Sequence, residues 1–223
     1  MTFTQLQDNV TRRLRAYGNL VWTADEIKEE INNGYSEFCR LTHIAQKQTE
    51  VTVAINTSQY ALPSPTGVSV VLRIWRAEWD ERVLGIMSTR TMDRSLGGTW
   101  RTATGSTLEY VMTDSEDRTK IRIYPIIDDS DNIGTLKLKV DYSYIPSDLS
   151  ATTDTPAIPA NYHLALVDYA VAQLQELPVQ SKQNPGMGDR AMMSFWRYVG
   201  SAKYDTSVGL IHDYRSQVIP QVV

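Results

Sequence analysis

The fold is decided by the stretch at residues 156–177, which reads PAIPANYHLALVDYAVAQLQEL. Pro156 and Pro159 keep the chain extended ahead of it, because proline and the residue before it resist helical geometry. Asn161 is of a residue type that caps helix N-termini. Apolar side chains then recur at helical spacing on one broad face: Leu166, Val167, Ala170, Val171, Leu174 and Leu177. This periodicity predicts a helix that lies in the core of the protein.

Two amphipathic helices are predicted at the N-terminus, at residues 3–17 and 23–46, because apolar residues recur there every three or four positions. Thr23 and Glu26 have the spacing of a capping box, in which each side chain accepts a hydrogen bond from the other residue's backbone. Four carboxylates fall in the first turns of the second helix: Asp25, Glu26, Glu29 and Glu30. They suit the positive end of the helix dipole, and no His or Cys clusters with them to favour a metal site.

The region at residues 49–147 has a different pattern, with short alternating runs separated by turn residues. Such runs predict β-strands, here at residues 50–55, 59–62, 68–79, 81–86, 108–112, 120–127 and 136–144. A tight turn is predicted at Asp80-Glu81, and one short helix within residues 88–96. Strands at this short spacing indicate an antiparallel meander or a small sandwich.

A last helix is predicted to begin near Asp189, after a polar break at residues 180–188. Its inner stripe is Met192, Phe195, Val199 and Ala202, broadened by Trp196 and Tyr198 and continued by Tyr204, Val208 and Ile211, although Gly209 weakens this continuation. The predicted fold is therefore α+β, with a helical bundle formed by residues 1–48 and 148–215. An antiparallel β-rich sub-domain at residues 49–147 is inserted into it, and residues 216–223 form an extended segment.

Composition excludes several classes of protein. The formal net charge of −4 argues against a protein that holds nucleic acid on a basic face. Cys39 is the single cysteine, which rules out an intrachain disulfide and indicates a buried, inert thiol. No apolar run approaches the roughly 20 residues of a membrane span, and the first residues lack the apolar core of a signal peptide. We therefore expect neither a membrane protein nor an exported one.

Signatures of catalysis are absent from the sequence. There is no Walker loop, dinucleotide-binding glycine pattern or GxSxG motif. The three histidines, His43, His163 and His212, lie on different predicted helices, and structural or surface roles are expected for them. Asp128, Asp129 and Asp131 resemble a calcium loop only superficially, because the glycine and the closing glutamate of an EF-hand are missing. We expect no enzyme, no cofactor and no metal, although a triad assembled from distant residues stays open.

Three tryptophans lie in or beside the β region: Trp75, Trp79 and Trp100. Packing in the core or on a sheet face is the ordinary use of such side chains. An aromatic platform for a sugar or a base is the alternative. The second functional hypothesis is therefore a carbohydrate- or ligand-binding β module supported by helices.

The order of several segments resembles the head-to-tail adaptor proteins of tailed bacteriophages, also called connectors or tail tubular A-like proteins. The resemblance covers about residues 20–200. The segments that carry it are TADEIKEEINNGY at residues 23–35, YALP at 60–63, VVLRIW at 70–75, KIRIYP at 120–125, LKVDYSYIP at 138–146 and PAIPANYHLALVDYA at 156–170. The region from Asp189 to Arg215 is longer than the family pattern.

The resemblance implies a structural protein of the virion neck that is made in the host cytoplasm. Copies of the chain would form a ring, typically twelve-fold, that binds the portal protein on one side and a tail or nozzle protein on the other. DNA would pass through the lumen without being bound, and no membrane is involved.

Two sets of site residues go with this resemblance. The family's C-terminal segment commonly docks on the portal, and here that segment is Ser216, Gln217, Val218, Ile219, Pro220, Gln221, Val222 and Val223. The densest acidic turns are candidates for the channel wall: Asp114, Glu116 and Asp117, and Asp128, Asp129 and Asp131. Carboxylates there would repel phosphate and let DNA slide.

Overall fold

A computed structural model of the chain describes residues 1–16, 22–62, 68–113, 120–128, 137–176 and 185–217. The chain divides into two units. The helical unit consists of Met1–Ile44 and Asp148–Val223, and the β unit consists of Ala45–Ser147. The described α-helices are α1 (Phe3–Ala16), α2 (Ala24–Thr42), α3 (Thr89–Leu96), α4 (His163–Glu176) and α5 (Pro185–Gln217). All but α3 belong to the helical unit.

Helix α4 is the centre of the helical unit. Ten of its 14 residues are buried, and α1, α2 and α5 all pack against it. The neighbouring helices contribute apolar side chains that are almost fully buried: Phe3, Leu6, Val10, Leu14, Ile27, Ile31, Phe38, Phe195, Val199 and Ala202. The prediction of a core helix is confirmed, as are the α+β class and the packing of N-terminal against C-terminal helices.

Local signals fix the ends of the helices. The capping box of α2 is present, with the Thr23 amide donating to Glu26 Oε2 at 2.7 Å and the Glu26 amide to Thr23 Oγ1 at 3.3 Å. His43 ends α2 in the left-handed region with φ 53°, and its amide donates to the Cys39 carbonyl at 2.9 Å. Asn161 lies in a 3-10 turn (Ala160–Tyr162) before α4 rather than at the N-cap.

A buried carboxylate joins three helices of the helical unit. Asp168 on α4 is buried and pairs with Arg13 of α1, while Ser194 of α5 donates to its second oxygen at 2.7 Å. A carboxylate removed from water needs such partners, because its lost hydration must be replaced by hydrogen bonds or by an opposite charge. The Asp168 carboxylate therefore links α4 to α1 through one of its oxygens and to α5 through the other.

His163 is buried at the start of α4, where both ring nitrogens have partners. Its Nδ1 lies 2.7 Å from the Met1 ammonium and its Nε2 lies 3.0 Å from the Ile158 carbonyl oxygen. Nδ1 must accept from the ammonium while Nε2–H donates, so this arrangement requires the neutral ring. Burial lowers the pKa of His163, and the ammonium charge acts in the same direction.

The β unit contains ten described strands in three sheets. The strands are β1 (Gln46–Thr52), β2 (Gln59–Ala61), β3 (Val68–Trp79), β4 (Arg82–Val83), β5 (Gly85–Ser88), β6 (Thr104–Gly105), β7 (Tyr110–Thr113), β8 (Lys120–Tyr124), β9 (Ile126–Ile127) and β10 (Lys137–Pro146). The sheet orders are β1-β10-β3-β4, β2-β8-β7-β5 and β6-β9. Apolar side chains from the sheets form one core that includes Ile74, Ile121 and Val140.

The predicted antiparallel character holds for most strand pairs but not for all. Strand β5 pairs with β7 in parallel, and β6 pairs with β9 in parallel. The connection from β5 to β7 contains α3 and a 3-10 helix (Gly97–Arg101), which makes it long enough for a parallel crossover. The predicted turn between β3 and β4 is confirmed, since Asp80 and Glu81 both adopt positive φ.

Helix α5 begins at Pro185, four residues before the predicted start near Asp189 and within the predicted polar break, and it ends at Gln217, two residues beyond the predicted boundary at residue 215. The helix continues through Gly209 and has 33 residues in all. At the usual helical rise this corresponds to a length of about 50 Å. A single glycine disfavours a helix by only about 1 kcal/mol relative to alanine, so it weakens the helix without ending it. Ser216 and Gln217 are therefore helical rather than part of an extended segment.

Gly34 is predicted to be intolerant of alanine, although alanine is the better helix former. A Cβ at Gly34 would lie 2.8 Å from Tyr169 Cδ1 and 3.1 Å from Tyr169 Cβ, so α2 and α4 would have to separate. We expect Gly34→Ala to lower the free energy of unfolding by about 1–3 kcal/mol, as overpacked cores do. Urea denaturation followed by circular dichroism measures this. Gly200→Ala in α5 is the matched control, because no atom lies within 4 Å of a Cβ there, and equal losses in both variants would contradict the packing argument.

His163 is predicted to make the helical unit less stable in mild acid. Its folded-state pKa lies below the unfolded value, so the unfolded chain binds more protons and stability falls as the pH drops through the unfolded value of about 6.5. His163→Gln should flatten this slope. NMR titration of the ring C–H signals gives the folded midpoint directly, and a midpoint above the ordinary value of about 6.5 would refute the prediction.

Candidate interaction surfaces

The predicted channel-lining residues fall largely outside the described part of the chain. Asp128 is described and is exposed at the end of β9, with its amide directed at the Gly105 carbonyl at 3.4 Å. The remaining five, Asp114, Glu116, Asp117, Asp129 and Asp131, lie outside the described residues. Their role in a channel stays a prediction.

The predicted portal-docking segment is also mostly undescribed. Ser216 and Gln217 form the last two residues of α5. The rest of the segment lies outside the described residues: Val218, Ile219, Pro220, Gln221, Val222 and Val223.

The three tryptophans of the β unit do not form a platform. Trp79 and Trp100 are 2% and 3% exposed, which leaves no ring face free for a ligand and confirms the core packing expected for them. The Trp100 Nε1–H donates to Asp93 Oδ1 at 2.8 Å. Trp75 is half-buried, and the guanidinium carbon of Arg73 lies 4.3 Å from its ring centroid. A cation already covers the one ring that solvent reaches.

A groove of about 340 Å³ lies beside Trp75 within the β unit. It is lined by Leu72, Arg73, Ile74, Trp75, Ile86, Met87, Ser88 and Thr113. Arg73 is its one charged side chain, so the groove has no pair of titratable groups for acid–base chemistry. Ser88 has a structural role there, because its hydroxyl accepts from the Thr91 amide at 3.1 Å and caps α3.

The residues with reactive side chains have structural environments. Cys39 is fully buried, and burial raises the pKa of its thiol to about 12, the opposite of what a nucleophile needs. Both nitrogens of His163 are engaged by Met1 and Ile158, while His43 ends a helix. Within the described ranges, no three His, Cys, Asp or Glu side chains come together to hold a metal.

An exposed apolar stripe on α5 was not predicted from the sequence. Met193, Trp196 and Tyr204 are 58%, 51% and 69% exposed, whereas we expected Trp196 and Tyr204 to extend the inner stripe. Gly200 lies on the same face, because residues four apart share a side of a helix. We call Met193, Trp196, Gly200 and Tyr204 the outer stripe. The spacing of the aromatic residues in the sequence shows that they share one face of the helix. It does not show whether other side chains cover that face or leave it exposed.

Charge is distributed differently on α2 and α5. Helix α2 carries Asp25, Glu26, Glu29, Glu30 and Glu37 against two cations, Lys28 and Arg40. Both cations are paired within the helix, Lys28 with Asp25 at 3.2 Å and Arg40 with Glu37 at 2.6 Å. Burial and the carboxylates of Glu30, Glu37 and Glu176 together raise the pKa of Tyr169, which reports the negative potential beside α2. The exposed side chains described on α5 include three cations, Arg190, Arg197 and Lys203, and two carboxylates, Asp189 and Asp205.

Among the described helices, none is both long and apolar enough for a membrane span.

Comparison with known proteins identifies the family. No match is found among curated proteins. The family model described as SU10 adaptor protein matches residues 1–210 and so covers nearly the whole chain of 223 residues. The resemblance to phage adaptors is confirmed: the chain belongs to the SU10 adaptor protein family, a family of bacteriophage head-to-tail adaptors.

Proposed function

We propose that copies of this chain close into a ring of about twelve subunits between the portal and the tail or nozzle of the virion, where the ring extends the DNA channel. The observation that carries the proposal is the family match over residues 1–210. The family is structural rather than enzymatic, which agrees with the buried thiol of Cys39 and the fully engaged ring of His163. The chain works by contacts with its neighbours and not by chemistry.

Charge supports a channel that does not hold DNA. The chain has 26 acidic and 22 basic residues. A lumen lined by carboxylates would repel phosphate at short range, so DNA would slide past without being retained. The acidic turns around Asp114 and Asp128 are the residues we assign to that lumen. Cryo-electron microscopy of the assembled neck would test the assignment, and finding both turns on the outer perimeter would overturn it.

Contacts with the portal are assigned to the C-terminal segment at residues 216–223. Four of its eight residues are valine or isoleucine, an apolar content that suits burial against another protein. Such a segment can add to a partner as an extended strand. The ligand-binding alternative has no comparable support, because Trp79 and Trp100 are buried.

The purified chain is predicted to form a closed ring, alone or on its portal. Particle mass and negative-stain images of the chain, alone and with portal assemblies of the same phage, measure the subunit count. A monomer alone with a ring on the portal means that the portal directs assembly. The proposal fails when neither sample contains a ring.

Deletion of residues 216–223 is predicted to abolish portal binding while leaving the fold intact, because the segment follows the last described residue that is buried in the helical unit, Ala202. Co-sedimentation with portal particles measures binding, and circular dichroism checks the helix content. A second variant keeps the full length but replaces Val218, Ile219, Val222 and Val223 by serine. It should also lose binding, because the contact is attributed to these apolar side chains and not to the length of the segment. Undiminished portal binding by the deleted chain would rule out this docking role.

A further inference from the structure

We infer that the outer stripe of α5 binds a second copy of this chain, on the acidic outer face of that copy's α2. The inference rests on the proposed ring and names the surfaces that would close it. The exposure of the outer stripe is the first support for this contact. Met193, Trp196 and Tyr204 expose more than half of their side chains, although each is apolar or aromatic. The buried face of the same helix, at Phe195, Val199 and Ala202, lies on another side.

Gly200 is the second observation. It lies in the middle of α5, where glycine is a poorer helix former than alanine. A Cβ at Gly200 would meet nothing within 4 Å, whereas the missing side chain of Gly34 leaves room for Tyr169. Packing within the described residues therefore gives no reason for glycine at this position. Trp196 and Tyr204 are each one helical turn away, so the glycine forms a notch between two exposed rings that another helix can enter closely.

The charges beside the stripe point to an acidic partner. Arg190, Arg197 and Lys203 are exposed on α5, and none of them forms an ion pair with another residue of the described chain. Helix positions follow one another by about 100°, which places Arg190 and Arg197 along one side of the stripe and Lys203 along the other. Two carboxylates of α5 are exposed as well, Asp189 one turn before Met193 and Asp205 next to Tyr204. The cations border the strip on both sides and outnumber these carboxylates three to two, so the strip fits an acidic helix better than a basic one.

The same chain supplies such a helix. Glu29 is exposed and Glu30 is half-buried on α2, and neither forms an ion pair within the part of the chain that the structure describes. Both cations of α2, Lys28 and Arg40, are already paired. Because α2 and α5 offer different surfaces of opposite charge, the contact between two copies is head-to-tail, and this type of contact generates rings.

The first test is steric and uses the full chain. Gly200→Leu fills the notch and should weaken self-association at least about tenfold, since a bulky side chain prevents close approach. Gly98→Leu is the matched control, because Gly98 is also exposed, a Cβ there also meets nothing within 4 Å, and the residue belongs to neither α2 nor α5. Sedimentation velocity measures association, and circular dichroism confirms that both variants fold. Where the wild-type chain assembles only on portal particles, the same comparison is made there by counting bound copies.

The second test reverses charges. A variant with Arg190→Glu, Arg197→Glu and Lys203→Glu, and another with Glu29→Lys and Glu30→Lys, should each fail to assemble alone. Mixed together they should assemble, because every contact then joins one reversed surface to another or one native surface to another. Failure of the mixture, with both variants folded, would overturn the pairing of α5 with α2.

The outcomes separate this inference from the proposed function. Rings formed equally well by the wild type, Gly200→Leu and both charge variants would overturn the inferred surface and leave the ring standing. A wild-type chain that forms no ring, alone or on the portal, would remove the proposed function and this inference with it. Loss in Gly200→Leu but not in Gly98→Leu, together with assembly of the mixed charge variants, supports both.

Discussion

The burial of α4 on nearly all of its sides is the constraint on which the helical unit depends. A helix with ten of 14 residues removed from water must be surrounded, and one neighbour covers only a stripe of it. Helices from both ends of the chain meet that need, so the residues between them form a separate unit, Ala45–Ser147. The polar side chains that α4 buries are matched as well, Asp168 by Arg13 and Ser194, and His163 by Met1 and Ile158.

Surrounding α4 also determines which surfaces remain for partners. The inner faces of α1, α2 and α5 are occupied, and the exposed side chains described on these helices lie on their outer faces. On α2 that face is acidic, and on α5 it carries exposed apolar side chains beside cations. Contiguous exposed apolar side chains mark interaction surfaces, whereas single exposed apolar residues are ordinary. An adaptor, whose work is to hold other proteins, is expected to place its specificity on such faces.

Trp100 and Cys39 are of residue types that often bind ligands or react, but in this protein both have packing roles. Trp100 fills a small core with Met92 and Met112, and its indole N–H is satisfied by Asp93. Cys39 lies in the packed face of α2, where burial keeps the thiol protonated. These side chains are large or polar groups that the core accommodates because each has neighbours or hydrogen-bond partners. The chain belongs to a family of structural proteins, which agrees with the packing roles of Trp100 and Cys39.

The α+β class, the core helix, the capping box at Thr23 and the turn at Asp80 can be predicted from the sequence, because each depends on residues close together in the chain. The other features depend on which distant segments pack together. Phe195 and Trp196 are both large aromatic residues of the same helix, but packing against α2 and α4 covers Phe195 and leaves Trp196 exposed. Gly34 and Gly200 are both helical glycines, yet one contacts Tyr169 and the other faces open space. Parallel pairing of β5 with β7 likewise depends on where distant segments meet, which periodicity does not encode.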